Sequence, residues 1–94
     1  MTNLSENINY RVLIGIDAQT FFESTNISLQ KKLNRCFDRL KIDPHNHPNI
    51  KPLKGELSGY HRYRVGDYRV VYCISDEDQE VTVILIAHRS KVYE

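Results

Sequence analysis

Residues 10–14 (YRVLI) place aromatic and β-branched side chains in an unbroken run that stops at Gly15, the pattern of a short strand. Asp17 stands where it can cap a short helix carrying Phe21 and Phe22, and Ser24-Thr25-Asn26 supplies a break and a second set of capping side chains. From about residue 28 to 41, Leu29, Leu33, Cys36, Phe37 and Leu40 recur at intervals of three and four, which gathers them into one stripe of a second helix. Its other face carries Lys31, Lys32, Arg35, Asp38 and Arg39, a mixture that reads as a solvated surface in preference to an RNA-binding ridge. Residues 42–52 hold all three prolines, Pro44, Pro48 and Pro52, a density that neither a helix nor a central strand tolerates, so a connecting loop is expected. Three strand patterns follow at 60–65, 68–74 and 81–88, separated by Gly66-Asp67 and by the polar run 75–80. Separations this short make antiparallel hairpins. One strand, two helices and a three-strand meander add up to an α+β fold, with the helices on one face of the sheet and the other face partly open to carry a site.

With 94 residues, one domain is expected and a multidomain enzyme is not. Residues 1–9 are polar and without periodicity, and are expected to form a flexible arm ahead of a single domain over 10–94. The longest apolar stretch, residues 81–87, falls far short of the roughly 20 residues that cross a bilayer, so no membrane association is expected. Residues 1–9 also lack the basic start and apolar centre of a secretory signal, which makes the cytoplasm the expected location. Cys36 and Cys73 have no CxxC spacing and read as free core thiols.

A formal charge of +1 argues against a nonspecific polyanion binder only if the charges are evenly spread, and they are not. Lys51, Lys54, Arg62, Arg64 and Arg69 crowd one segment against Glu56 and Asp67, while Asp76, Glu77, Asp78 and Glu80 crowd the loop before the last strand. Alternation along a strand puts Arg62 and Arg64 on one face, and across the Gly66-Asp67 turn Arg69 can join them, with Arg89 at the end of the last strand. Tyr63, Val65, Val70 and Tyr72 then point to the helices. Guanidinium groups converging on one face call for an anion, and their planar fork suits a phosphodiester. The same arginines also fit separate edge charges that reach into water or pair with Glu56 and Asp67. Tyr93 could stack on a nucleobase, although a lone terminal tyrosine is usually a packing residue.

The stretch PLKGELSGYHRYRVGDYRVVY at 52–72, followed by HRSKVY at 88–93, resembles the RelE/ParE superfamily of toxin–antitoxin toxins over roughly residues 10–93. The resemblance implies two N-terminal helices packed on a four-stranded, mainly antiparallel sheet. It implies, on the closer RelE pattern, a ribosome-dependent endoribonuclease that cuts mRNA in the ribosomal A site and is neutralised by a cognate antitoxin. The alternative within the superfamily is a ParE-type inhibitor of DNA gyrase, or a catalytically weak toxin-like binding protein. By resemblance the site is formed by Arg62, Arg64, Arg69, Arg89 and Tyr93. Arg69 and Arg89 would hold the scissile phosphate and Tyr93 would orient a base, with attack by the neighbouring 2′-hydroxyl. Lys51 and Lys54 would contact RNA phosphates.

One departure bears on the chemistry. The second-strand pair of the best-known relatives is lysine, which can lose a proton among other cations, whereas Arg62 and Arg64 stay protonated. Some relatives place a glutamate just before the PLK segment, where Lys51 stands here. His61 and His88 have suitable intrinsic pKa values as proton carriers, yet alternation turns His61 away from Arg62 and His88 away from Arg89. His45-x-His47 with His61 and His88 is a weak metal pattern lacking an assisting cysteine or carboxylate cluster, so neither a metal nor any other cofactor is expected. There is no glycine-rich phosphate loop, GxSxG or HExxH.

Overall fold

The computed structural model describes residues 9–92. The chain runs β1 (Arg11–Ile14), α1 (Ile16–Ser24), α2 (Ile27–Ile42), β2 (Ile50–Pro52), a 3-10 turn (Gly55–Leu57), β3 (His61–Val65), β4 (Tyr68–Ser75), β5 (Glu80–His88) and a second 3-10 turn (Arg89–Lys91). Of the arm expected at 1–9, only Asn9 falls among the described residues; its N–H donates to the Lys41 carbonyl. No helix is long and apolar enough to cross a membrane among the described residues.

The two helices follow from local chemistry. α2 starts at Asn26, whose side chain accepts from the Leu29 N–H at 2.8 Å, and it buries Leu33, Cys36 and Leu40 in a single stripe. α1 is capped by the backbone of Gly15, with no side-chain cap; Asp17, expected as the cap, lies inside the first turn. There a carboxylate meets the positive end of the helix dipole. Gly15 has an ordinary φ of −66°, and its role is close approach: a Cβ there would meet the Val83 carbonyl oxygen at 2.9 Å.

The sheet has five strands in the order β1-β5-β4-β3-β2, one more than the four expected, and it is mixed: β1 pairs parallel to β5, and every other pair is antiparallel. The added strand, β2, closes the proline-rich segment expected to be loop throughout. It pairs through only three residues at the sheet's edge, and Pro52 is tolerable there because an edge strand has one side without a ladder. The β3–β4 turn is the Gly66-Asp67 pair, with Gly66 at φ +58° in the left-handed region that a tight hairpin needs.

Both faces of the sheet carry apolar clusters. Leu33, Cys36, Leu40, Val70, Tyr72 and Val81 anchor the main core under the helices. On the other face Leu53, Val71 and Val92 are buried together, with Leu57, Tyr60 and Leu85 packed around them. That face is therefore capped at its middle by the 55–57 turn and the C-terminal turn, which leaves its ends for polar groups. A register irregularity opposite Val71/Tyr72 pairs Val71 with Leu85 and Tyr72 with Val83, so Ile84 is the extra residue and joins Leu85 on the second face.

Candidate nucleic-acid interface

The register arranges the basic residues in rows. Lys51, Arg62, Val71 and Leu85 are successive partners across β2, β3, β4 and β5, and Arg64, Arg69 and Ala87 form the next row, about 7 Å along the strands. Tyr63, Val65 and Val70 alternate with these residues and belong to the helix-side core, which puts the three arginines on the face away from the helices. Arg62 and Arg64 share that face as alternation predicts, and the turn brings Arg69 directly opposite Arg64.

The structure treats the arginines unequally. Arg62 and Arg69 are buried, at 6% and 8% exposure, whereas Arg64 and Arg89 are exposed, as are Lys51 and Lys54. Arg62 donates from Nη1 to the Asn49 carbonyl, and Arg69 donates from Nη1 to the carbonyls of Gly66 and Tyr68, each at 3.1 Å. Burial with carbonyl partners holds both guanidinium groups in place. Strand pattern puts Arg89 at the end of the last strand, but β5 ends one residue earlier and Arg89 opens the second 3-10 turn. Its N–H donates to the Asp67 carbonyl at 2.8 Å, which ties it to the hairpin turn beside the Arg64/Arg69 row. Tyr93 lies outside the described residues.

His61 and His88 do not join the arginines. His61 stacks on Tyr72 on the helix side, ring centroids 5.8 Å apart, and burial pulls its pKa below the usual histidine value, helped by the neighbouring His45. His88 contacts Tyr68 edge-on at 5.7 Å. Among the described residues no group of three or more His, Cys, Asp or Glu is arranged to hold a metal.

The acidic loop occupies the β4–β5 turn, at the other end of β4 from the Gly66-Asp67 hairpin. Asp76 accepts from the Tyr10 hydroxyl at 2.6 Å and lies 2.8 Å from His45 Nε2, and Glu80 pairs with Arg11. The hydrogen bond with His45, followed by that from Tyr10, holds the Asp76 carboxyl below the usual range. The domain is thus polarised along the sheet, basic at one end and acidic at the other.

Sequence pattern did not single out the groove beside the basic rows. About 500 Å³ in volume, it is lined by Lys54, Glu56, Leu57, Leu85 and Lys91. The bulge that puts Leu85 next to Ile84 on this face, and the turn that brings Lys91 back over it, are tertiary features with no local signal.

The model of a family described as "ParE toxin of type II toxin-antitoxin system, parDE" matches residues 10–93. Over 43 residues, 46% of the chain, the sequence is 54% identical to Toxin RelE of Mycobacterium tuberculosis (strain ATCC 25618 / H37Rv), of which the match covers 44%. Toxin RelG of the same organism is 42% identical over 43 residues, 49% of its length, so the chain spans about half the length of the curated relatives it matches. Among solved structures, the toxin–antitoxin complex RelBE2 from Mycobacterium tuberculosis aligns with a TM-score of 0.76 at 26% identity, covering 87% of this chain and 100% of that one. An archaeal RelE–RelB complex from Pyrococcus horikoshii OT3 shares the fold, with a TM-score of 0.77 at 24% identity over 89% of this chain and 99% of that one.

Proposed function

Because the chain belongs to the ParE toxin family of type II toxin–antitoxin systems, within the RelE/ParE superfamily, we propose that it is a RelE-like toxin that cleaves mRNA on the ribosome, in the cytoplasm, and is held inactive by a cognate antitoxin. The observation that carries this reading is the pairing of Arg64 with Arg69 next to a turn whose Asp67 carbonyl also holds the Arg89 main chain. A phosphodiester seated there meets charge from three strands' worth of chain, with Arg62 one row behind.

In the proposed reaction the 2′-hydroxyl oxygen attacks the adjacent phosphorus and gives up its proton to water, while the bond to the 5′ oxygen breaks and that oxygen takes up a proton from water. The products are a 2′,3′-cyclic phosphate and a 5′-hydroxyl. As the bonds change, negative charge grows on the non-bridging oxygens, and Arg69 and Arg89 stabilise it. The guanidinium of Arg69, already fixed on two carbonyls, needs little reorganisation as that charge appears. A guanidinium is donor-only, so the contribution of Arg62 and Arg64 is electrostatic positioning and not proton abstraction. Lys51 and Lys54 extend the positive track along the RNA backbone, and Tyr93 orients a base.

The test is a reconstituted translation reaction with mRNA 5′ ends mapped by primer extension, using ribosome-free RNA and Arg89→Ala as controls. Cuts in the A-site codon that require both ribosomes and Arg89 support the reading. The family description itself names ParE, which favours gyrase inhibition as the second reading. Intact mRNA together with inhibited supercoiling in a gyrase assay would replace the first reading by the second.

A further inference from the structure

We infer that His88 is a positioning residue for Arg89, acting through the short turn that follows β5; the inference rests on the mRNA-cleavage reading of the site. A three-residue 3-10 turn has little holding it by itself. At its far end the Val92 N–H donates to the Arg89 carbonyl at 3.3 Å, and the Val92 side chain is buried with Leu53 and Val71. At its near end the Arg89 N–H is taken by the Asp67 carbonyl. The Ser90 N–H, inside the turn, points at the imidazole: His88 Nδ1 lies 3.2 Å from the Ser90 backbone nitrogen and 3.0 Å from the Ser90 hydroxyl.

The Ser90 N–H can only donate, so Nδ1 accepts and carries no proton, which puts the ring proton on Nε2; the Ser90 hydroxyl lies against the same Nδ1 lone pair. His88 then does at this turn what an asparagine or serine does at the start of a helix. The ring is itself held, edge-on to Tyr68, and Tyr68 in turn packs on Phe21 of α1 with centroids 5.5 Å apart. Alternation keeps the ring off the arginine face. His88 therefore acts on Arg89 through the main chain: with the Ser90 N–H released, the turn loosens and the arginine loses its fixed approach to the phosphate.

Two measurements on the full chain test this. Nitrogen-15 NMR of the neutral imidazole should show the Nε2–H tautomer of His88, and the Nδ1–H tautomer would overturn the inference. In single-turnover cleavage at saturating ribosome, His88→Gln, which cannot place an acceptor at the Nδ1 position, should be slower by about tenfold with the half-saturating ribosome concentration unchanged. His88→Asn, whose Oδ1 stands where Nδ1 stood, should restore the rate to within about twofold of the starting protein. Equal loss in both variants, or none in His88→Gln, would overturn it. If the unaltered protein cuts no mRNA, the cleavage reading fails by itself. Amide exchange at Ser90, slow in the unaltered chain and His88→Asn but fast in His88→Gln, still decides whether the clamp exists.

Discussion

Arg64 and Arg69 are direct cross-strand partners on the sheet face away from the helices, two like charges at the closest register position two strands allow. Such a pair opposes folding, because like charges directly opposite each other are destabilising. The structure separates their roles: Arg69 is buried and folds back onto the Gly66 and Tyr68 carbonyls, while Arg64 stays exposed. On the proposed reading, a phosphodiester seated between them would offset that repulsion.

Removing Arg64 should therefore separate stability from activity. Arg64→Ala is expected to leave the free protein unchanged or more stable, by about 0.2–1 kcal/mol in urea unfolding. The same variant should cut mRNA more slowly by at least about tenfold. A destabilised variant of full activity would contradict the placement of Arg64 in the site.

Arg69→Lys tests the fork and not the charge. Lysine keeps the cation but cannot reach two carbonyls and a phosphate from one planar group. Cleavage should fall by about 100-fold, a loss of the size seen when one preorganised donor is removed. A rate close to that of the unaltered protein would mean that charge alone suffices.

Tyr72 is fully buried, and its hydroxyl donates to the Pro44 carbonyl at 2.8 Å, which fixes the proline-rich loop to the core. Tyr72→Phe leaves that carbonyl without its donor and should cost about 1–3 kcal/mol in urea unfolding. Because the loop lies on the helix side, cleavage at a temperature where the variant is folded should stay unchanged. Gly15→Ala should destabilise by a comparable amount for a different reason, about 1–3 kcal/mol from forcing a methyl group against the Val83 carbonyl 2.9 Å away.

The pH dependence of stability should carry the mark of His61. Burial first, and the neighbouring His45 second, lower its pKa in the folded state from the ordinary 6.5, against the opposing pull of Asp76. The folded protein thus binds this proton less tightly than the unfolded chain. Stability is complete above about pH 6.5 and declines as the pH falls below it, toward the lowered folded value. Asp76, whose pKa is also lowered, adds its own loss only at much lower pH, beneath the ordinary carboxylate value of 3.8. Melting temperature should therefore drop between pH 7.5 and 5, and His61→Phe should flatten that drop. An unaltered slope in His61→Phe would assign the loss to another group.

Much of this molecule is legible in local pattern. Period-two alternation placed β3, β4 and β5 within a residue of their ends, the apolar stripe from Leu29 to Leu40 marked α2, and Gly66-Asp67 marked the hairpin that joins the arginines. These features are local because side-chain direction follows from backbone period. The basic face and the acidic far end were legible for the same reason. Residues that are distant in sequence escaped it. That Ile50–Pro52 forms an edge strand, that β1 lies parallel outside β5, and that Ile84 bulges onto the second face all depend on which strand is a neighbour. Burial of Arg62 and Arg69 depends on Asn49 and on the turn carbonyls coming within reach. The sequence by itself determined which side chains share a face. Only the tertiary structure decided which of them are buried, held and paired, because solvent exclusion and hydrogen-bond partners are set by chain segments that no local period connects.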